Sequence, residues 1–190
     1  MNTEQEKAWA GELGDAYTAR NRVDWRARIP FWSYVINETG ARSVYELGCN
    51  AGWNLSAIRR AFPDVVVSGE DINTQAIRQA AGAGLKCFTS PAVFGGPFCE
   101  LSFTAGVLIH VAPVDLKASM QCAVLASTDY VLAVEYAADE EQEIEYRGQM
   151  GLLWKRPYGK LYQDLGLELE QSWDAGAGFD NCTAWLLRKP

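Results

Sequence analysis

The segment Ser43-Val44-Tyr45-Glu46-Leu47-Gly48-Cys49-Asn50-Ala51-Gly52-Trp53-Asn54-Leu55 joins an apolar strand to a helix through a glycine loop, with a carboxylate two residues before the first glycine. Gly48, Asn50 and Gly52 can bring main chain close to a ligand, because glycine, and asparagine next after it, tolerates the left-handed backbone of a sharp turn. Glu46 discriminates between ligands. A loop built for a pyrophosphate aims helix N–H groups at negative charge and is weakened by an adjacent acid, whereas a ligand carrying a sulfonium and an ammonium gains from one. The dinucleotide fingerprint Gly-x-Gly-x-x-Gly is broken at Asn50, and Gly52 is followed by Trp53 rather than the Lys-Ser/Thr of a phosphate loop. The pattern favours S-adenosylmethionine as cofactor, although glycines in a plain strand-to-helix connection would look the same.

A second acid falls at the right remove. The run Pro63-Asp64-Val65-Val66-Val67-Ser68-Gly69-Glu70-Asp71-Ile72-Asn73 is a β-branched strand ending in acid, about 20 residues downstream, where α/β nucleotide folds place the carboxylate that grips a ribose diol. Asp71, with Ile72 beside it, is the candidate ribose ligand. Its alternative role is to cap the following helix, which Asn73 or Thr74 would do equally well. His110 is the only histidine and sits just past the fourth strand, on the edge where such folds bind ligands, so it is a candidate general base or a loop anchor. Beyond the acidic run of residues 139–145 comes a basic aromatic stretch, Tyr146-Arg147 through Trp154-Lys155-Arg156-Pro157-Tyr158, suited to capping an anionic acceptor or simply to packing and surface charge.

These residues need a sheet to hold them. Hydrophobic patterning predicts strands near 43–47, 65–70, 85–89, 100–104 and 130–136, alternating with helices near 53–61, 73–81 and 113–126. Runs at 166–173 and 182–187, joined by Asp174-Ala175-Gly176-Ala177-Gly178, read as a final antiparallel pair. The expected fold is α/β: a Rossmann-like, doubly wound, mostly parallel seven-stranded sheet with a C-terminal antiparallel strand pair. Ahead of it, Trp9, Leu13 and Tyr17 share one face of a helix over 9–21, weakened by Gly11 and Gly14, and an aromatic helix follows over 25–38.

At 190 residues, 48% hydrophobic and 22% charged, the chain suits one domain, 1–190, with 1–40 as a helical lid and 137–160 as an acceptor-side insertion. A net charge of -7 without a Lys/Arg cluster argues against nucleic acid partners. The polar N-terminus and the absence of a long apolar run argue against a signal peptide or membrane span, so the expectation is a cytoplasmic protein. Five scattered cysteines with no Cys-x-x-Cys pair, and one histidine, argue against a zinc site and fit a reducing compartment. Oligomeric state is not encoded in these features.

The ordered set Glu46-Leu47-Gly48-Cys49-Asn50-x-Gly52, the acid Asp71 and the final strand pair resemble a class I S-adenosylmethionine-dependent methyltransferase. Four finer motifs resemble the methylases associated with pseudaminic acid biosynthesis: residues 14–21 (Gly-Asp-Ala-Tyr-Thr-Ala-Arg-Asn), residues 48–55 (Gly-Cys-Asn-Ala-Gly-Trp-Asn-Leu), residues 106–111 (Gly-Val-Leu-Ile-His-Val), and Glu135-Tyr136 leading to Ile144-Glu145-Tyr146-Arg147-Gly148. The resemblance implies that Glu46 holds the methionyl amino group, that Gly48, Asn50, Gly52 and Ala105 supply backbone, and that Asp71 holds the ribose. Ser90, ending the third strand, stands where an aspartate near the adenine is common. Tyr17 and Arg20 recur in the lid motif, and Arg20 or Arg26 would pair with the methionyl carboxylate. His110, Tyr146 and Arg147 are then the residues expected at the acceptor, a small molecule. Residues 137–143 lack the proline associated with that family, and Gln149 replaces a common histidine, so methyl transfer carries over better than the acceptor does. A nicotinamide enzyme, disfavoured by Glu46 and Asn50, or a binding protein that has lost transfer would share the same fold.

Overall fold

The computed structural model describes residues 3–89 and 98–190. Its chain order is α1 (Glu4–Ala10), α2 (Glu12–Arg20), a 3-10 turn (Trp25–Arg28), α3 (Ile29–Thr39), β1 (Ser43–Leu47), α4 (Trp53–Ala61), β2 (Val66–Asp71), α5 (Thr74–Gly82), β3 (Lys86–Thr89) and β4 (Cys99–Ala105). A second 3-10 turn (Leu108–His110) precedes α6 (Pro113–Ala126), β5 (Ser127–Glu135), the short strands β6 (Gln142–Glu143) and β7 (Trp154–Lys155), α7 (Tyr158–Gln163), β8 (Glu168–Asp174) and β9 (Thr183–Arg188).

Seven strands form one sheet in the order β3-β2-β1-β4-β5-β9-β8, and β6 pairs with β7 separately. The pairs from β3 to β5 are all parallel, while β9 runs antiparallel to both β5 and β8. Helices cover both faces, so the central strands are apolar on both sides. Along β5, Leu132 and Val134 enter a core with Trp32, Leu55, Ile58 and Phe103, while Val131 and Ala133 enter another with Met120, Tyr158, Tyr162 and Leu187. That alternation is the period of two of a pleated strand.

The expected sheet is present, and three local expectations are corrected. The helix over 9–21 is broken at Gly11 (φ -107°, ψ -143°), which separates α1 from α2 and lets them pack on each other. A Thr3/Glu6 capping box starts α1 at Glu4, five residues before Trp9, where the sequence reading began the helix. The stretch 25–38 begins as a 3-10 turn and becomes regular helix at Ile29, where Pro30 occupies the first turn. Finally, Tyr158–Gln163 is a short helix that buries Tyr158, Gly159 and Tyr162, where the sequence reading ended its basic aromatic run at Tyr158 and assigned no helix. Among the described residues no helix is long and apolar enough to cross a membrane.

Candidate active site

The carboxyl ends of β1, β2 and β4 open onto a cavity of about 930 Å³ roofed by α1 and α2. The place where open α/β sheets bind ligands, outside the strand carboxyl ends where the strand order reverses, lies between β1 and β4. Glu46, Gly48, Asn50, Asp71, Ile72, Ala105, His110 and Tyr17 all line this cavity, as the sequence reading expects. Among the described residues, Glu46 Oε2, Trp9 Nε1, Trp53 Nε1 and Asp115 Oδ2 are buried without a hydrogen-bond partner, and all four line it too. Buried polar atoms are rarely left so. Their convergence marks a place built for a polar ligand.

The loop after β1 has the backbone its sequence requires. Gly48 (φ 72°), Asn50 (φ 44°) and Gly52 (φ 78°) are all left-handed. Gly52 is the N-cap of α4 and a Cβ there would collide with Leu85, whereas at Gly48 it would collide with Val107. Gly52 therefore serves packing and lies outside the cavity lining, while Gly48 lies in it. Asn50 accepts from Ala51 N through Oδ1 (2.8 Å) and donates through Nδ2 to Thr18 Oγ1 on α2 (3.0 Å), so the loop also anchors α2.

Asp71 holds the loop's other side. Its Oδ2 accepts from Asn50 N and its Oδ1 from Asn73 N, both at 2.8 Å. Burial raises its pKa, and these two N–H groups oppose the rise. The helix-capping role belongs to Asn73, whose Oδ1 accepts from Ala76 N at 2.8 Å. Asp71 is thus a preorganised carboxylate facing the cavity, with lone pairs beyond the two already engaged.

Glu46 is 1% exposed. Its Oε1 accepts from Asn54 Nδ2 at 2.6 Å, and Asn54 Oδ1 in turn accepts from Arg28 Nη1 at 2.9 Å and from Trp32 Nε1 at 3.2 Å. One buried asparagine therefore ties an acid and a base together at the cavity wall. Burial pushes Glu46 well above the usual carboxylate range, partly offset by Asn54 and by Arg28. Burial also lowers the Arg28 guanidinium, which Glu46 and Tyr17 oppose. Arg28 is further fixed by donating from Nε to Gly178 O (2.8 Å) and by lying 4.5 Å over Phe179.

Arg28 is the residue the sequence reading passes over. Arg26, two positions earlier, falls on another face of the 3-10 turn and pairs at the surface with Asp24 (3.4 Å). Arg20 is also exposed, donating from Nη2 to Tyr146 Oη at 3.3 Å. Neither lines the cavity. Arg20, Arg26 and Arg28 are equivalent in sequence, and only the turn's geometry separates them. Asn54 had its signal in the motif, but its bridging role depends on where Arg28 falls.

At the other end, His110 lines the cavity with its ring packed against Trp9 of α1. Its Nδ1 lies 2.8 Å from Leu152 O, and because a carbonyl only accepts, Nδ1 carries the proton and Nε2 is left as the acceptor. Burial lowers its pKa to about 4, so the ring is neutral at physiological pH. Trp9 lies 4.4 Å from it and Tyr146 5.3 Å, while Tyr17 packs edge-on to Trp9 at 5.4 Å. Tyr146 reaches the site through these rings without lining the cavity itself. Arg147 does neither: it is exposed at the tip of a two-residue turn closed by Tyr146 and Gln149, where its φ of 54° and Gly148's of 78° supply the required positive pair. Ser90 lies outside the described residues.

Two buried groups frame His110. Glu135 accepts from the backbone N–H of Val107 and Leu108 (3.1 Å each) and Ile109 (3.4 Å), holding the 3-10 turn that carries the histidine. Arg156, 0% exposed, donates to Leu108 O (2.8 Å), Val111 O (3.0 Å) and Glu141 Oε2 (2.7 Å), pinning residues 137–160 to the same turn. The sequence reading offered Arg156 to an acceptor anion. The structure commits it to the fold instead. Arg156→Lys, which keeps charge but not the planar fork, should lower stability by about 1–2 kcal/mol in thermal or urea unfolding.

Glu135 and His110 also make opposed demands on pH. Burial raises Glu135 from 4.5 to about 7, so its contribution is fully present below pH 4.5 and is lost as pH rises through 7. His110 falls from 6.5 to about 4, so its contribution is present above pH 6.5 and is lost as pH falls through 4. Between roughly pH 4.5 and 6.5 the two nearly cancel. Whatever its baseline effect, Glu135→Gln removes one of the terms that fall with pH, so the stability of the variant relative to the unsubstituted protein should rise by up to about 3 kcal/mol between pH 4.5 and 7 in chemical denaturation.

Neither a protein-family model nor a curated protein matches the chain in sequence. Solved structures match it in shape. The Burkholderia thailandensis 1,6-didemethyltoxoflavin-N1-methyltransferase, with 1,6-didemethyltoxoflavin and S-adenosylhomocysteine bound, matches 96% of this chain and 84% of its own at 16% identity and a TM-score of 0.70. Magnesium protoporphyrin IX methyltransferase from Synechocystis PCC 6803, with S-adenosylmethionine bound, matches 99% of this chain and 98% of its own at 12% identity and a TM-score of 0.72. A sugar N-methyltransferase from Streptoalloteichus sp ATCC 53650 matches 95% and 93% at 13% identity and a TM-score of 0.70. The fold is the methyltransferase fold. At these identities the likeness extends to architecture, and the chemistry rests on the residues of the cavity.

Proposed function

We propose that the chain is an S-adenosylmethionine-dependent methyltransferase acting on oxygen or nitrogen of a small polar acceptor. The observation that carries this reading is the Glu46–Asn54–Arg28 relay. An acid with one free oxygen and a guanidinium, held together by one amide at the cavity wall, match the ammonium and carboxylate of an amino acid. Asp71, on the neighbouring strand end, matches a ribose diol. A pyrophosphate would meet the Asp71 carboxylate as a repulsive charge and would gain nothing from a protonated Glu46.

When bound, the cofactor supplies an electrophilic methyl group on its sulfonium. Transfer then needs an aligned acceptor, exclusion of water and removal of one proton. Trp9 and Tyr17 on the lid and Tyr146 on the insertion supply an apolar enclosure. His110 Nε2 is the acceptor for the proton leaving the acceptor's hydroxyl or amine, its tautomer fixed by Leu152 O. The resemblance to methylases of pseudaminic acid biosynthesis supports a sugar acid or nucleotide-linked acceptor. With Arg156 buried in the fold, an anionic group on that molecule would meet Arg20 or Arg147 at the rim. Incubating candidate metabolite pools with enzyme and isotopically labelled S-adenosylmethionine, and following label by mass spectrometry, tests the reading. A labelled small molecule supports it, and no transfer from any pool, sugar-nucleotide and sugar-acid fractions included, would count against it.

A further inference from the structure

Cys49 sits between Gly48 and Asn50 in the cofactor loop, and Cys87 lies on β3, two strands from β1. Gly69 stands between them. It pairs in register with Cys87, and a Cβ placed on it would come within 2.9 Å of Cys49 Cβ. The space of the missing side chain is therefore shared by the Cys49 and Cys87 side chains, which pack in the same core, and the Cys49 thiol donates to Asn50 O at 3.6 Å. Cys49 is buried while Cys87 is half-buried, so a small reagent reaches Cys87 first.

We propose that Cys49 and Cys87 form a reversible disulfide when the protein meets a hydroperoxide, and that this bond shuts the cofactor loop. The last clause rests on the function proposed above; the bond itself does not. The neighbouring Cys49 thiol lowers the pKa of Cys87, while Cys87 and burial raise that of Cys49, which makes Cys87 the attacking thiolate. Its sulfur takes the terminal oxygen of the hydroperoxide: an S–O bond forms, the O–O bond breaks, and the alcohol or water leaves with the proton. Cys49 then attacks the Cys87 sulfenic acid, an S–S bond forms, and the hydroxyl departs with the Cys49 proton as water. Two electrons pass from the thiols to the peroxide.

Drawing Cys49 toward β3 turns the Cys49–Asn50 peptide, and that peptide's N–H is the 2.8 Å donor to Asp71 Oδ2. The loop and the ribose carboxylate would be disturbed together.

The test is hydrogen peroxide treatment of the full chain at neutral pH, followed by intact mass, peptide mapping and calorimetric titration with S-adenosylhomocysteine. The expected result is loss of two hydrogens per chain, a peptide joining Cys49 to Cys87, and affinity reduced by roughly tenfold or more, restored by dithiothreitol. Cys87→Ser should form no such peptide and keep its affinity under peroxide. Oxygen adducts without the joined peptide would overturn the disulfide. A joined peptide with unchanged affinity would overturn the shut loop. Failure of the reduced protein to bind S-adenosylhomocysteine would instead overturn the cofactor reading, and the mass measurement would still decide the bond.

Discussion

Arg28→Ala is expected to weaken binding of S-adenosylhomocysteine by about 3–5 kcal/mol, on the order of a hundredfold to several thousandfold. The substitution removes a charge that would face the ligand's carboxylate, and it also strips Glu46 of the nearest cation that offsets its burial. With Arg28 gone, Asn54 Oδ1 keeps only Trp32 Nε1 as a donor. Arg26→Ala, at a surface pair with Asp24, should change affinity by less than about 0.5 kcal/mol. Calorimetric titration of both variants checks the assignment. Equal losses from the two, or none from Arg28, would return the methionyl carboxylate to another residue.

His110→Asn should lower turnover by roughly 100- to 10,000-fold while leaving S-adenosylhomocysteine affinity close to that of the unsubstituted protein. Asparagine retains a group able to hydrogen-bond Leu152 O but has no basic nitrogen. The pH profile gives a second readout. With its pKa at about 4, His110 is already neutral at pH 5.5, so its limb in kcat/KM belongs near pH 4 rather than near 6.5. A full rate in His110→Asn would leave alignment within the Trp9, Tyr17 and Tyr146 enclosure as the whole of the protein's contribution, with His110 reduced to anchoring Leu152.

The parts of this site that were legible in sequence are those fixed by local chemistry. Strand β1 and helices α4 and α6 fall on the expected residues because β-branched and helical periodicities there agree with burial on both sheet faces. The left-handed positions at Gly48, Asn50 and Gly52 follow from residue type alone. What was not legible depends on long-range partners. Arg20, Arg26 and Arg28 differ only in the direction the chain takes after Gly11 breaks the N-terminal helix and the 3-10 turn begins. Arg156 looks like a surface cation until Leu108 O, Val111 O and Glu141 surround it. Arg147, placed by motif at the acceptor, is drawn to a hairpin tip by the Gly148 that follows it.

The most direct test of the methyltransferase assignment is calorimetric titration of the unsubstituted protein with S-adenosylhomocysteine and with NAD, each in two buffers of different ionisation enthalpy. Burial holds a proton on Glu46 to unusually high pH in the free protein, and a ligand ammonium beside its free oxygen would drive that proton off. The expected result is saturable binding of S-adenosylhomocysteine with proton release, tighter as pH rises through the range where free Glu46 is still protonated, and no binding of NAD. Saturable binding of NAD with S-adenosylhomocysteine inert would contradict it.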